Sequence, residues 1–146
     1  RRYLPNSHYL RLIEKYEATH ANARVVIFSE SKSFETLDVF SNNKGYELIL
    51  DGDVGEAWKT IMVADVIILS KSSFSYVPAA LSRQDNNNSN NSNKSRVAYT
   101  EFWHKPLPGW EMDDDVAHVK QQIRLEIKKM RNEQCAEAII SKCVKE

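Results

Sequence analysis

Residues 65–81 read DVIILSKSSFSYVPAAL, and this stretch decides the fold. Residues 65–69 form an apolar, largely β-branched run, which predicts a buried strand. Residues 74–81 favour a helix, with Pro78 in its first turns, where proline costs least. The polar turn Ser70–Ser75 therefore joins a strand directly to a helix.

The same alternation continues on both sides of this stretch. Further strands are predicted at residues 24–28, 46–50 and 96–100, and helices at 8–19, 33–40 and 54–64. Ser7 and Ser33 are the predicted caps of the first two helices. This order predicts a three-layer, Rossmann-like α/β fold of about four parallel strands, in the order 2-1-3-4. Additional helices are predicted at residues 113–131 and 133–144.

Length and composition limit the class of protein. The 146 residues are 42% hydrophobic, which is enough for the core of one domain. The 20 basic and 20 acidic residues balance, which argues against a nucleic-acid partner. No apolar run approaches the roughly 20 residues that span a bilayer. The chain has neither an initiator Met nor a signal peptide, so we expect it to be a fragment of a longer protein.

The turn Ser70–Ser75 is the strongest candidate for a ligand site. A helix start presents unpaired N–H groups and a partial positive charge, which together attract anions such as nucleotide phosphates. The serine hydroxyls add donors, and Lys71 adds a full charge. The alternative is simple capping by Ser72 or Ser73. The turn is neither a GxxxxGK[ST] loop nor a GxGxxG loop.

Two other polar turns follow strands. Ser29 and Glu30 follow the first strand, and Asp51-Gly52-Asp53 follows the second. Asp51 is placed to accept hydrogen bonds from a ribose hydroxyl or a base N–H. The alternatives for Asp51 and Asp53 are a turn with a helix cap, or a hard-cation site. We expect no metal.

Four further features remain to be interpreted. The aromatic loop 102–110, with His104, either stacks on a sugar or base, or folds back and buries its own tryptophans. The Asn/Ser-rich residues 84–95 predict a disordered insertion, and their Asn-x-Ser triplets are either glycosylation sites or products of composition. The run 113–115 is a helix start rather than a metal site. Cys135 and Cys143 lie about 12 Å apart along a helix, which predicts two unpaired thiols.

Several segments resemble one family. Residues 64–76 resemble the "AD-(apolar)-SxSSFS" segment of fucosyltransferase-like glycosyltransferases, particularly the α-1,2-fucosyltransferase group. Residues 2–10 resemble the "LPxSYYL" helix start of that family. Residues 26–30 resemble its "VxFSD" strand, with Glu30 where Asp is usual, and residues 97–110 resemble its closing strand and aromatic loop. The resemblance covers most of residues 3–110, and the serine motif is its most specific part.

This resemblance implies the nucleotide-binding half of a GT-B fold and a metal-independent reaction with a sugar-nucleotide donor, commonly GDP-fucose. The residues it implies in donor binding lie in two groups. Those implied against the diphosphate are Ser72, Ser73, Phe74 and Ser75, and those implied toward the nucleoside are Ser29, Glu30 and Asp51. Ser70 and Lys71 complete the candidate set as members of the same turn. The family's diphosphate-binding Arg belongs to an HxRxGD motif upstream of "LPxSYYL". No catalytic residue is therefore assigned in this chain.

Three functions follow from these patterns. The first is the donor-binding half of a glycosyltransferase, which would pass a fucosyl or other hexosyl group to a glycan acceptor together with a missing N-terminal half. We expect it to be inactive alone, and to reach a membrane only through a segment outside this chain. The second is a non-catalytic nucleotide- or glycan-binding module, and the third an unrelated phosphate-binding domain. The first predicts the Golgi or secretory-pathway lumen in a eukaryote and the cytoplasm otherwise.

Overall fold

The computed structural model describes residues 3–20, 22–32, 36–42, 45–82 and 94–113, with residues 121, 124–125 and 128–129. The chain divides into two compact units, Arg1–Asp114 and Asp115–Glu146. The described residues of the second unit are helical and exposed. Several predictions fall outside the described residues: the Ser33 cap, the insertion at 84–93, Asp114 and Asp115, both cysteines, and most of the C-terminal helices.

Helices and parallel strands alternate along the first unit, which confirms the α/β class. None of the helices within the described ranges is long and apolar enough to cross a membrane. The elements, in chain order, are α1 Asn6–Glu17, β1 Val26–Ser29, α2 Asp38–Ser41, β2 Glu47–Leu50, α3 Val54–Val63, β3 Val66–Ile68, α4 Ser73–Leu81, β4 Arg96–Tyr99 and β5 Glu111–Met112.

The strands form two parallel sheets rather than the single sheet that the sequence predicts. One sheet pairs β1 with β2, and the other has the order β3-β4-β5. The predicted neighbours 2-1 and 3-4 are therefore confirmed, but no strand pairing joins β1 to β3 among the described residues. Side chains connect the two sheets instead, because Ile27 of β1 and Ile68 of β3 pack on one cluster formed by Ile13, Phe40 and Tyr46.

Strand β5 was not predicted, because two residues carry no recognisable period. It pairs in parallel with β4, with Ala98 opposite Glu111 and Tyr99 opposite Met112. The connection between the two strands, residues 100–110, contains no helix. Glu111 is held from both sides, since it accepts hydrogen bonds from Arg96 Nε at 2.7 Å and from the Tyr16 hydroxyl at 3.0 Å.

The core lies around β4, whose side chains alternate between the two faces of its sheet. Val97 and Tyr99 pack on one face with Ala79 of α4. Ala98 packs on the other face with Leu12 and Tyr16 of α1. Helices therefore cover both faces of this sheet, as buried parallel strands require. By contrast, the side chains of β1 and β2 are only half-buried or exposed.

The predicted helix starts are partly correct. Helix α1 begins at Asn6 after Pro5, and no side chain caps it, so the predicted Ser7 cap is wrong. Helix α2 begins at Asp38, later than predicted. Helix α3 begins as expected after Asp53, whose carboxylate accepts a hydrogen bond from the Glu56 N–H at 3.0 Å. Asp53 therefore acts as a helix cap.

Replacement of this cap gives a direct test of the local fold. Asp53→Ala removes the acceptor for the Glu56 N–H, so we expect it to lower the free energy of unfolding by about 1 kcal/mol. Asp53→Asn is the matched control, because Asn caps helices about as well as Asp. Urea denaturation of the three proteins measures the difference. Equal losses in both variants would show that the carboxylate acts through its charge and not as a cap.

Candidate functional site

The turn Ser70–Ser75 runs from the end of β3 into the first turn of α4. Ser72 is the residue before the helix, with extended backbone angles (φ −142°, ψ 144°). Its hydroxyl accepts a hydrogen bond from the Phe74 N–H at 3.2 Å, and its own N–H donates to the Ser70 carbonyl at 2.8 Å. Capping by Ser72, one of the alternatives open from the sequence, is therefore confirmed.

Two further serine hydroxyls hold the turn from inside. The Ser70 and Ser75 hydroxyls share a hydrogen bond of 3.0 Å. The Ser75 hydroxyl also lies within hydrogen-bonding distance of the Ser70 carbonyl at 3.0 Å and the Ser72 carbonyl at 3.2 Å, and Ser75 is buried. Three of the four serines therefore stabilise the turn itself, which accounts for most of the serine content that the sequence associates with a ligand.

The donors that the turn offers are backbone N–H groups at the start of α4. The first four N–H groups of a helix, counted from the residue before it, have no acceptor inside the helix. In α4 the Phe74 N–H is capped, which leaves the Ser73 and Ser75 N–H groups as the donors at the helix end. The Ser73 side chain is exposed, and Lys71 and Phe74 are half-buried beside it. A rigid turn with two N–H donors and a nearby lysine is suited to hold an anion.

The turns after β1 and β2 are tied to one another. The Asp51 N–H donates to the Ser29 carbonyl at 3.0 Å, and the Asp51 carboxylate accepts from the Ser31 N–H at 3.0 Å. Hydrogen bonding with Ser31 lowers the pKa of Asp51, and the carboxylate therefore stays ionised. Asp51 has a positive φ of 50°, a conformation that Asp tolerates better than most residues.

The predicted site residues therefore occur in two groups. Ser29, Glu30 and Asp51 lie together at the carboxyl ends of β1 and β2, and Glu30 and Asp51 are exposed there. The serine turn lies at the carboxyl end of β3. The two groups belong to the two sheets that meet through Ile27 and Ile68.

A polar cluster that the sequence did not reveal lies at the same sheet edge as the serine turn. Thr100 follows β4 and Asp113 follows β5, so both lie beside the turn that follows β3. His8 and Arg11, one turn apart on α1, reach them from the face that α1 covers. Asp113 is buried and directly follows a strand, and the rest of the helix start predicted at residues 113–115 lies outside the described residues.

The contacts of this cluster are short and mostly buried. His8 Nε2 shares a hydrogen bond of 3.2 Å with the Thr100 hydroxyl, and His8 Nδ1 lies 3.5 Å from Asp113 Oδ2. Arg11 Nη2 donates to the same carboxylate oxygen at 2.6 Å. The order of hydroxyl, imidazole and carboxylate is that of a hydrolytic triad. Here Thr100 is buried, and the Asp113 carboxylate forms an ion pair with Arg11. The cluster therefore fixes α1 to the sheet edge.

Burial decides the protonation state of His8. It lowers the pKa of His8 from 6.5 to about 4, and the positive charges of Arg11 and Lys71 act in the same direction. The Asp113 carboxylate opposes the shift without reversing it. His8 is therefore neutral at pH 7. The effect of Lys71 also shows that this cluster and the serine turn share one electrostatic environment.

In the aromatic loop 102–110, only one of the two tryptophans is buried against the domain. Trp110 is buried against Tyr76 and Tyr99, with ring centroids 5.1 and 5.8 Å away. Trp103 and His104 are exposed instead. The loop leaves the carboxyl end of β4, so it borders the same edge as the serine turn.

No protein-family model, curated protein or solved structure gives a significant match to this chain. Within the described ranges, no group of three or more His, Cys, Asp or Glu side chains comes together as a metal site. The candidate site is accordingly defined by the serine turn, the two tied turns and the exposed part of the aromatic loop.

The two roles of serine in the turn are separable by mutation. Ser75→Ala leaves the Ser70 hydroxyl without its partner, so we expect it to lower the free energy of unfolding by about 1–2 kcal/mol. Ser73→Ala removes an exposed hydroxyl and should change the free energy of unfolding by less than about 0.5 kcal/mol. Urea denaturation measures both. A loss in Ser73→Ala as large as that in Ser75→Ala would contradict this division of roles.

The buried histidine predicts a pH dependence of stability. The folded pKa of about 4 lies below the unfolded value of 6.5, so between these values the unfolded chain binds the proton more strongly. Stability should therefore fall as pH drops from 7 to 5, by up to about 1.4 kcal/mol per pH unit. Urea denaturation at pH 7, 6 and 5 measures the slope, with His8→Gln as the control. An equal slope in His8→Gln would contradict the assignment.

Proposed function

We propose that this chain is the donor-binding half of a glycosyltransferase, and that it binds a GDP-linked sugar with the diphosphate at the serine turn. The observation that carries this proposal is the start of α4. There a turn braced by its own serine hydroxyls precedes the Ser73 and Ser75 N–H groups, which have no acceptor inside the helix, and Lys71 belongs to the same turn. The resemblance of residues 64–76 to the family segment supports the same ligand.

Rigidity supports a functional interpretation of this turn. A binding site loses affinity when its groups must be ordered on binding, and internal hydrogen bonds remove that cost in advance. The Ser70–Ser75 hydrogen bond and the Ser72 cap fix the two N–H groups relative to the strand. The N-terminal end of the helix adds a partial positive charge. This arrangement favours a dianionic group over a neutral one.

The turns after β1 and β2 are the proposed neighbours of the nucleoside. The Asp51 carboxylate stays ionised and exposed, and Glu30 is exposed beside it, so both can accept hydrogen bonds from ribose hydroxyls or from guanine N–H groups. Uracil offers fewer N–H donors than guanine. The proposal therefore includes a preference for GDP over UDP.

In such a transferase the contribution of this half is to hold and orient the donor. The diphosphate gains negative charge as the glycosidic bond to the donor sugar breaks, and fixed N–H donors together with Lys71 would stabilise that charge. The acceptor and the remaining catalytic groups would come from the other half of the protein. In a eukaryote the proposed location of this reaction is the Golgi or secretory-pathway lumen.

The structure offers a sharp variant for the first test, Ser73→Pro. Proline is well tolerated at the first position of a helix, and the extended Ser72 suits the residue before a proline. The variant therefore removes one N–H donor and should leave the fold intact. We expect GDP affinity, measured by calorimetric titration, to fall about thirty-fold, which corresponds to about 2 kcal/mol for a hydrogen bond to a charged group.

Ser73→Ala is the matched control, because it removes the same hydroxyl and keeps the N–H. It should weaken GDP binding only a few-fold. GMP and UDP should bind more weakly than GDP to the unmodified chain. If circular dichroism shows a folded chain that does not bind GDP, or if Ser73→Pro binds GDP as well as Ser73→Ala does, the proposed site is wrong.

A further inference from the structure

The largest exposed aromatic side chain in the described part of the chain is Trp103, which is 59% exposed. It lies between Phe102, which packs against the core cluster, and His104, which is also exposed. Exposing an indole to water is unfavourable, because the ring carries a large apolar area. A single exposed apolar residue would need no explanation. In this loop, however, hydrogen bonds hold the backbone on both sides of Trp103.

The backbone on both sides of Trp103 is fastened to core tyrosines. The Tyr99 hydroxyl donates to the His104 carbonyl and accepts from the Phe102 N–H at 3.2 Å. The Tyr76 hydroxyl donates to the Lys105 carbonyl at 2.9 Å. Further on, Gly109 adopts a φ of +84°, which few other residues tolerate, in the turn that leads Trp110 into the core. The loop is thus built to hold Trp103 outward.

A series of aromatic rings leads from α4 to Trp103, and the half-buried Tyr76 is its first member. The Tyr76 and His104 ring centroids lie 4.7 Å apart, and those of His104 and Trp103 lie 5.1 Å apart. Tyr76 is three residues beyond Ser73 on α4, which is about 4.5 Å along the helix. A ligand held by its phosphate at the start of α4 would therefore have Tyr76, His104 and Trp103 along one side.

We propose that Trp103 and His104 bind the saccharide part of the nucleotide-linked ligand; this inference rests on the proposed function. A pyranose ring presents C–H groups on its face, and these are attracted to the electron-rich face of an indole. Its hydroxyls need hydrogen-bond partners, which an exposed imidazole supplies as both donor and acceptor. A flat apolar ring beside a polar ring fits this mixed surface.

Geometry favours the saccharide over the nucleobase at this position. The carboxylates proposed for the nucleoside, Glu30 and Asp51, follow β1 and β2 in the other sheet. The aromatic loop instead follows β4, which pairs with β3, the strand that the serine turn follows. A diphosphate at the serine turn would therefore have its nucleoside toward one group and its sugar toward the other.

The test compares GDP with GDP-fucose by calorimetric titration of the 146-residue chain and its variants. In the unmodified chain we expect GDP-fucose to bind about five- to tenfold more tightly than GDP, the gain expected from one aromatic stacking contact. Trp103→Ala should reduce this ratio to about one and leave GDP affinity unchanged. Trp103→Phe, which keeps an aromatic face, should retain part of the ratio.

Leu81→Ala is the matched control, since Leu81 is 64% exposed at the other end of α4 and should change neither affinity. If GDP binds and GDP-fucose binds no more tightly, the saccharide site is wrong and the proposed function stands. If Trp103→Ala weakens GDP and GDP-fucose equally, Trp103 contacts the nucleotide and the inference is overturned. If neither ligand binds to the folded chain, the proposed function fails and this inference fails with it.

Discussion

The parallel pairing of β4 with β3 on one side and with β5 on the other is the constraint on which the candidate site depends. Because all three strands run in one direction, the residues that follow them meet at one edge of the sheet. This edge brings together Ser70, Thr100 and Asp113, which are far apart in the sequence. Tyr99, at the end of β4, is fully buried, and its hydroxyl also fastens the aromatic loop at the same edge.

The serine turn shows how a structural and a functional role can occupy the same residues. The sequence shows four hydroxyls near a helix start, which suggests a surface lined with side-chain donors. In the structure, the Ser70, Ser72 and Ser75 hydroxyls form hydrogen bonds within the turn. The donors left at the helix start are backbone N–H groups. Serine content is thus an indirect signal of an anion site, since the hydroxyls brace the backbone that would make the contact.

Local sequence patterns predict those strands and helices whose ends are set by neighbouring residues. Strands β1 to β4 and helices α3 and α4 lie within a residue or two of their predicted ends, because apolar runs and turn residues mark them. The His8–Asp113 contact joins residues 105 positions apart, and no local period signals it. Strand β5 is too short to show alternation, and it pairs with β4 while Tyr16 and Arg96, both distant in sequence, hold Glu111. The contact between the two sheets likewise depends on long-range packing, since Ile27 and Ile68 both pack on the cluster of Ile13, Phe40 and Tyr46.

The most direct test of the central claim is the change in backbone amide resonances of the ¹⁵N-labelled chain when GDP is added. Our account predicts that the Ser73 and Ser75 amides shift the most, since their N–H groups face the diphosphate, and that the capped Phe74 amide shifts less. The amides of Ser29 to Ser31 should shift as well, through the nucleoside. Saturable shifts confined to other parts of the chain, with Ser73 and Ser75 unchanged, would contradict the claim that the start of α4 is a phosphate site.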